Sequence, residues 1–280
     1  MQRKWKSFMA NVKKVLFITQ EITPYVPETE MSLVGRRLPQ AIQERGKEIR
    51  TFIPKWGSIN ERRNQLHEVI RLSGMNLIID DTDHPLIIKV SSIPSARMQV
   101  YFIDNDEYFE GRLQETDEQG QEYEDNDDRT IFYARGVLET VKKLRWNPNV
   151  VHCHGWMTAL APLYIKKAFN EEPSFRNTKV IFSLYENRLN NPFRLEYANR
   201  LMLKGICKED LETLQSPVTY EQLCKLAIDY SDGIVQHSRN VSPELIEYAR
   251  QSGKPFVEYV APELQADACD KLYDELTKEE

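Results

Sequence analysis

The feature that most constrains the fold is a strand–helix–strand pattern near the start of the chain. Residues 13–20 form a short, continuous apolar run, which is typical of a strand buried on both faces of a parallel sheet. Apolar residues then recur every three or four positions over residues 32–45, as in an amphipathic helix, and Gly46 follows where a helix commonly ends. Residues 48–54 predict the next strand. This βαβ unit indicates an α/β fold with a Rossmann-like, doubly wound, mostly parallel sheet.

The middle of the chain departs from that alternation. Between residues 66 and 104, short β-rich runs follow one another without intervening helices, which predicts an inserted antiparallel hairpin or meander. The alternation then resumes, with strands predicted at residues 149–152, 179–184 and 233–237 and helices at 128–146, 156–169, 218–230 and 244–251. Before the last two helices, Ser216-Pro217 and Ser242-Pro243 each place a capping serine ahead of a proline suited to the first helical position.

Composition and charge exclude several classes of protein. The 280 residues carry a net charge of −6, whereas a nucleic-acid-binding domain is normally basic. Four cysteines lie far apart without a CxxC pair, which favours a reducing, cytoplasmic location over a disulfide framework. No uncharged apolar run is long enough to span a membrane, and the basic residues 1–12 lack the apolar core of a signal peptide. These residues fit a flexible solvated leader, with contact to a membrane surface as the alternative.

No repeat or linker divides the chain, so we expect a single domain over residues 13–262, followed by a charged helix over residues 263–280.

One predicted loop has an unusually high negative charge. Residues 115–128 contain eight acidic side chains and no basic one. A solvated, mobile loop explains this composition better than a cation site, because the spacing does not fit a calcium-binding hand.

The candidate functional residues begin with His152 and His154, at the carboxyl end of a predicted parallel strand. Ligands of open α/β sheets bind at that edge, and two residues that are two positions apart on a strand share one face. A metal site would need a third and a fourth ligand, and no companion motif supplies them. Contact with a ligand and a structural role in holding nearby loops both remain open for these histidines.

The loop after the first strand is the usual phosphate site of Rossmann-like folds, where glycines let the backbone approach the anion. Here residues 24–31 contain no glycine and two carboxylates, Glu28 and Glu30. A phosphate near Glu30 would meet a like charge, at a cost of about 1 to 4 kcal/mol for each unit pair at 4 Å. We therefore expect no nucleotide there, no metal and no other cofactor.

Several motifs nevertheless resemble one family. Residues 20–25 and 38–46 are similar to a first strand ending Ser-Glu-x-x-Pro-Phe and to a Leu-Pro-Lys-Ala-Leu…Arg-Gly helix. Residues 100–105 with Tyr108-Phe109 match a further segment, and residues 150–160 match the signature Val-Val-His-x-His-Asp-Trp-His-Thr-Ala-Leu. Over about residues 13–255 the chain thus resembles the N-terminal half of the glycogen and starch synthases. These are two-domain GT-B glycosyltransferases that transfer glucose from a nucleotide sugar to a glucan.

The departures from the family pattern fall on its active-site motifs. The family's Lys-x-Gly-Gly loop, which faces the sugar nucleotide, aligns with residues 27–30. The family signature over residues 150–160 has also lost its Asp and its second His. A later Thr-x-His-Asn element has lost its His. The six replaced positions are Pro27, Thr29, Glu30, Gly155, Met157 and Tyr185. The family's second Rossmann domain has no counterpart in this sequence, so the resemblance gives no catalytic residue here. The side chains left as ligand-binding candidates are His152, His154, Trp156, Thr158, Tyr185 and Asn187.

Three hypotheses follow from this combination. The first is a catalytically deficient module that binds an α-glucan or a protein partner, because the resemblance implies that this half of the enzyme holds the acceptor glucan. The second is half of a split hexosyltransferase, whose nucleotide-glucose lobe is supplied by a separate partner chain. The third is a small-molecule enzyme that uses His152, His154 and Tyr185 at the sheet edge.

Overall fold

The computed structural model describes residues 14–278; the predicted leader at residues 1–12 lies outside this range. The elements are β1 (Lys14–Thr19), α1 (Glu30–Glu44), β2 (Glu48–Pro54), β3 (His67–Glu68), β4 (Met75–Ile79), β5 (Thr82–Ile93), β6 (Met98–Asp104), α2 (Asp106–Phe109), α3 (Asn126–Leu144), β7 (Val150–His154), α4 (Leu160–Lys167), β8 (Lys179–Leu184), α5 (Tyr197–Arg200), α6 (Tyr220–Asp229), β9 (Gly233–Gln236), α7 (Pro243–Gln251), β10 (Phe256–Val257) and α8 (Pro262–Leu276).

One large sheet organises the domain, with the strand order β10-β9-β8-β7-β1-β2-β6-β5-β3. The neighbours from β10 to β6 are all parallel. Strand β5 runs antiparallel to β3, β4 and β6, and these pairings are the predicted inserted hairpin and meander. The α/β fold class with a mostly parallel sheet is therefore confirmed.

Helices cover both faces of the sheet because its central strands are apolar on both sides. All of β7 and five of the six residues of β1 are buried. On one face, α1 and α8 pack through side chains that include Leu38 and Tyr273, whereas α3, α4 and α6 cover the other face. The charged stretch after residue 262 is thus a helix, as predicted, and it buries Cys269, Leu272 and Tyr273.

Local details of three helices differ from the prediction. Helix α6 begins at Tyr220 rather than 218, because Thr219 and not Ser216 caps it: the Thr219 side chain accepts a hydrogen bond from the Gln222 N–H. Ser242 stands at the N-cap of α7, but its hydroxyl makes no capping bond. The helix expected at 156–169 is a short 3₁₀ turn, Trp156–Thr158, followed by α4.

The prediction of a solvated acidic loop at residues 115–128 is wrong at its end. The last three residues open α3, and Asp127 is fully buried. Its carboxylate pairs with Arg194 at 2.6 Å and with Arg200 at 2.9 Å, and these cations make burial of the charge tolerable. Composition alone did not reveal these partners, since both arginines lie more than sixty residues away along the chain.

Candidate functional site

The topology places the expected binding crevice between β1 and β7. Their connections lead to opposite sides, since β2 lies beyond β1 and β8 lies beyond β7. Ligands of open α/β sheets bind outside the carboxyl ends of strands at such a switch point. Thr19 and His154 are paired there at the ends of the two strands.

His152 and His154 lie on the same face of β7, as the alternation along a strand predicts. Their ring centroids are 4.1 Å apart. Nδ1 of His152 lies 2.6 Å from the Tyr273 hydroxyl, and its Nε2 lies 2.6 Å from the Ser183 hydroxyl. Burial, together with the neighbouring histidines, lowers the pKa of both imidazoles well below the usual value. Both rings are therefore neutral at physiological pH.

A third histidine, His237, completes this cluster, and the sequence analysis missed it. His237 directly follows β9, and its ring centroid lies 5.4 Å from that of His154 and 6.0 Å from that of His152. Burial lowers its pKa to about 3. Among the described residues neither ring nitrogen makes a well-formed hydrogen bond, although the Gln265 side chain is near enough to oppose the lowering of the pKa. The sequence held a signal for it, because His237 ends a predicted parallel strand and such ends share one edge of the sheet.

Tyr185 covers the cluster from the end of β8. Its hydroxyl lies 2.8 Å from Nδ1 of His154, and its ring stacks on His237 with the centroids 5.3 Å apart. Only 3% of Tyr185 is exposed. The aromatic ring thus closes the sheet edge above two of the histidines.

The other three candidate residues bond to protein groups beside this cluster. The Trp156 indole N–H donates to Oδ1 of Asn187 at 2.9 Å, and the Asn187 amide donates to the Glu115 carboxylate at 3.0 Å. The Thr158 hydroxyl donates to the carbonyl of Gly155 at 2.8 Å. Of the six candidates, only Asn187 is more than marginally exposed.

The loop after β1 is acidic and bonded to itself. Thr29 caps α1, accepting from the Ser32 N–H at 2.9 Å, and its hydroxyl donates to the Glu21 carboxylate. Burial raises the pKa of Glu21 to about 7. At the first residue of the helix, the Glu30 carboxylate accepts from the Ser238 hydroxyl. The helix N-terminus, which could attract an anion, is thus occupied by the chain's own groups.

Gly155 and Met157 fill the floor of the crevice. Gly155 has φ +85° and ψ 163°, a region that only glycine adopts readily. A Cβ atom there would lie 2.9 Å from Oε1 of Gln20 and 2.9 Å from Cε of Met31. Met157 is fully buried, and its backbone N–H donates to Gln20. Protein atoms therefore occupy the space that an aspartate at position 155 would need.

Comparison with known proteins agrees with this architecture and with the motifs. A family model of the starch synthase catalytic domain matches residues 14–254. The chain belongs to the glycogen/starch synthase family. The resemblance inferred from the sequence is thereby confirmed, together with the GT-B glycosyltransferase relationship.

Individual relatives include bacterial glycogen synthases. The enzyme of Chlorobium chlorochromatii is 34% identical over 195 residues, covering 69% of this chain and 40% of that protein. The enzyme of Pelodictyon phaeoclathratiforme is 36% identical over 173 residues, covering 61% and 35% of the two chains. The aligned region therefore amounts to well under half the length of these relatives.

A solved structure of Arabidopsis thaliana starch synthase IV, bound to ADP and acarbose, shares the fold with a TM-score of 0.70 at 17% identity. The match covers 89% of this chain and 51% of that one.

Within residues 14–278 of the present chain, no helix is long and apolar enough to cross a membrane.

Proposed function

We propose that this glycosyltransferase-family domain binds an α-glucan and does not transfer glucose through the family's donor site on its own. The observation that carries the proposal is the state of the crevice between β1 and β7. The resemblance places the groups that face a sugar nucleotide in the loop after β1 and at position 185. Here that loop carries carboxylates bonded within the chain, and position 185 is a buried tyrosine. Glycosyl transfer needs positive charge or hydrogen-bond donors that stabilise the diphosphate leaving group. Carboxylates at this position have the opposite effect, because they repel the diphosphate.

The loop after β1 gives the electrostatic part of the case. Glu30 stands at the N-terminus of α1, where a phosphate would otherwise find free backbone N–H groups. Its charge repels a diphosphate, and the Thr29 cap already satisfies the Ser32 N–H. The family's lysine and glycines at this loop supply the opposite chemistry, a cation and an unobstructed backbone.

The steric part comes from Tyr185 and Gly155. Tyr185 replaces the family histidine of the Thr-x-His-Asn element and is fixed by its bond to His154 and its stack on His237. At Gly155, Met31 and Gln20 leave no space for the family's aspartate. The replacements therefore fit one another, as expected of a surface that no longer accommodates a sugar donor.

None of the six replaced positions lines the cavity to which we assign the glucan. The structure of starch synthase IV holds acarbose as well as ADP, that is, an oligosaccharide besides a nucleotide. In the present chain, a cavity of about 440 Å³ lies between residues 122–126 and residues 189–194. Tyr123 and Phe193 contribute ring surface to its wall, and the exposed Glu124 and Asn191 offer hydrogen bonds to hydroxyl groups. We assign the glucan to this cavity.

Native affinity electrophoresis with and without glycogen tests the proposal. We expect the chain to be retarded selectively, and Tyr123→Ala to reduce the retardation several-fold. Tyr259→Ala, which follows the edge strand β10 and does not line the cavity, should leave it unchanged. Calorimetric titration with ADP-glucose should give no heat of binding. Unchanged mobility of the wild-type chain in glycogen, or glucose transfer to glycogen by the isolated chain, would contradict the proposal.

The second candidate is a split enzyme, in which a partner chain supplies the nucleotide lobe. An apolar groove of about 230 Å³ between α1 and α8, lined by Leu33, Val34 and Ala266, favours it. Co-purification from the native cell of a chain with a Rossmann lobe, and transferase activity of the pair, would support this candidate. The small-molecule enzyme has less support, because His152, His154 and Tyr185 are buried and bonded to protein groups.

A further inference from the structure

His152 and His154 belong to the family signature, and together with His237 they form a donor set that the proposed function does not use. One ring nitrogen from each of His152, His154 and His237 can be chosen so that the three lie within 4.8 Å of one another. All three side chains are 0 to 1% exposed. We propose that this cluster, the tri-histidine site, binds a divalent transition metal ion of the zinc class.

The unsatisfied nitrogens point to a ligand. Nε2 of His154 and both ring nitrogens of His237 are buried without a well-formed hydrogen bond among the described residues. A buried polar group that is left without a partner destabilises the folded chain. A metal ion accepts one lone pair from each neutral imidazole, so it would satisfy Nε2 of His154 and one of the two ring nitrogens of His237. Neutral imidazole is the required ligand form, and burial keeps all three rings neutral.

The surroundings of the rings match those of metal-bound histidines, whose second nitrogen usually donates to a fixed oxygen. In the tautomer whose Nδ1–H donates to the Tyr185 hydroxyl, Nε2 of His154 carries a lone pair. Nδ1 of His152 can donate likewise to Tyr273, while Nε2 turns from Ser183 to the metal. The Ser183 hydroxyl, or a water molecule, then takes the fourth position.

Binding requires a small rearrangement. Zinc–nitrogen bonds of about 2.0–2.1 Å place two tetrahedral ligand atoms about 3.4 Å apart, so the widest nitrogen pair must approach by roughly 1.4 Å. The His237 ring must supply most of this movement, because hydrogen bonds to Tyr273, Ser183 and Tyr185 hold the other two rings. Metal binding would therefore draw the segment after β9 toward β7.

Three imidazoles select the class of metal. Imidazole suits zinc, cobalt, nickel and copper, whereas magnesium and calcium prefer oxygen ligands. No carboxylate belongs to the set. The site should therefore bind Zn²⁺ or Co²⁺ and show no response to Mg²⁺.

Co²⁺ titration of the untagged, chelator-treated chain tests this proposal. We expect a visible ligand-field spectrum with tetrahedral intensity, an end point at one equivalent, and reversal by Zn²⁺. His237→Val should weaken binding at least 100-fold, while His67→Ala, a substitution of an exposed histidine in β3, should leave it unchanged. Because His237→Val could perturb folding, Tyr185→Phe serves as the second variant and should weaken binding 10- to 100-fold by removing the oxygen that orients His154.

Two outcomes would overturn the tri-histidine site. One is a wild-type chain that gives no ligand-field spectrum and whose melting temperature does not rise with Zn²⁺. The other is Co²⁺ binding that His67→Ala removes and His237→Val leaves intact. Neither result bears on glucan binding, because the glucan cavity contains none of these histidines.

Discussion

The Tyr273 hydroxyl lies 2.6 Å from Nδ1 of His152, and this contact joins the last helix to a central strand of the sheet. Both residues are fully buried. Together with the bond from the Gln265 amide to the carbonyl of His237, this contact fixes the position of α8 on the sheet. The charged end of the chain is consequently part of the core that carries the candidate site.

Tyr273→Phe should therefore destabilise the domain. The substitution removes one oxygen and leaves a buried nitrogen of His152 unpaired, which costs about 1 to 3 kcal/mol of the free energy of unfolding. Urea denaturation followed by circular dichroism measures the change. Tyr259→Phe is the control, because the Tyr259 ring is half-buried and lies against Arg239. Equal stability of the two variants would show that the contact contributes nothing.

Glu21 should give the domain an unusual pH dependence. Its folded pKa is about 7, raised mainly by burial from an ordinary 4.5. Between these values the folded chain holds a proton that the unfolded chain has lost, so stability falls as pH rises from 4.5 to 7 and then levels off. The difference between these two pKa values corresponds to about 3 kcal/mol of the free energy of unfolding. The buried histidines act in the opposite direction, since the unfolded chain binds their protons first.

Comparison with Glu21→Gln isolates this contribution. We expect the variant to gain stability relative to the wild type as pH rises from 5 to 8, as measured by urea midpoints at each pH. Glu28→Gln, a substitution of an exposed carboxylate in the same loop, should leave the pH profile unchanged. A wild-type-minus-variant difference that is flat across this range would contradict the raised pKa.

The sequence predicted the parts of the fold that depend on local pattern. The buried run of β1, the amphipathic α1 and the paired faces of His152 and His154 follow from periods of two and 3.6 residues. The cap of α6 was misplaced because Ser216 and Thr219 are both good capping residues, and tertiary contacts decide between them. Local sequence also could not pair Asp127 with Arg200, because that contact depends on how two distant segments meet.

The candidate site shows the same division. Strand ends were predicted, and with them the edge at which His154, Tyr185 and His237 gather. Their mutual distances were not predictable, because they depend on which strands are neighbours in the sheet. The strand order β9-β8-β7 places His237 near His154 although 83 positions separate them in the sequence.

Asp127→Asn should be among the more damaging single changes in the chain. The Asp127 carboxylate is fully buried and accepts from Arg194 and Arg200, and the Arg200 side chain is only 6% exposed. Removing the negative charge leaves the largely buried Arg200 guanidinium with Asp128 as its remaining anionic partner, which costs about 1 to 3 kcal/mol. Thermal unfolding measures the loss. Glu118→Gln, in the exposed part of the same loop, should change stability by less than about 0.5 kcal/mol.

Gly155→Asp restores the family residue at the crevice and should damage the domain rather than repair it. The backbone at this position has φ +85°, which strains any residue other than glycine by about 1 to 3 kcal/mol. The new Cβ would also press on Gln20 and Met31 at 2.9 Å, displacing the side chain that accepts from the Met157 N–H. We expect a loss of stability of about 2 to 4 kcal/mol and no gain in ADP-glucose binding.

Gly120→Ala provides the control. Gly120 has a similar positive φ of 77° but lies in the loop at residues 115–128 with open space around it, so this substitution introduces backbone strain alone. If Gly155→Asp were as stable as this control, the crevice would have to open more readily than its packing indicates, and the case against a donor site would lose its steric part.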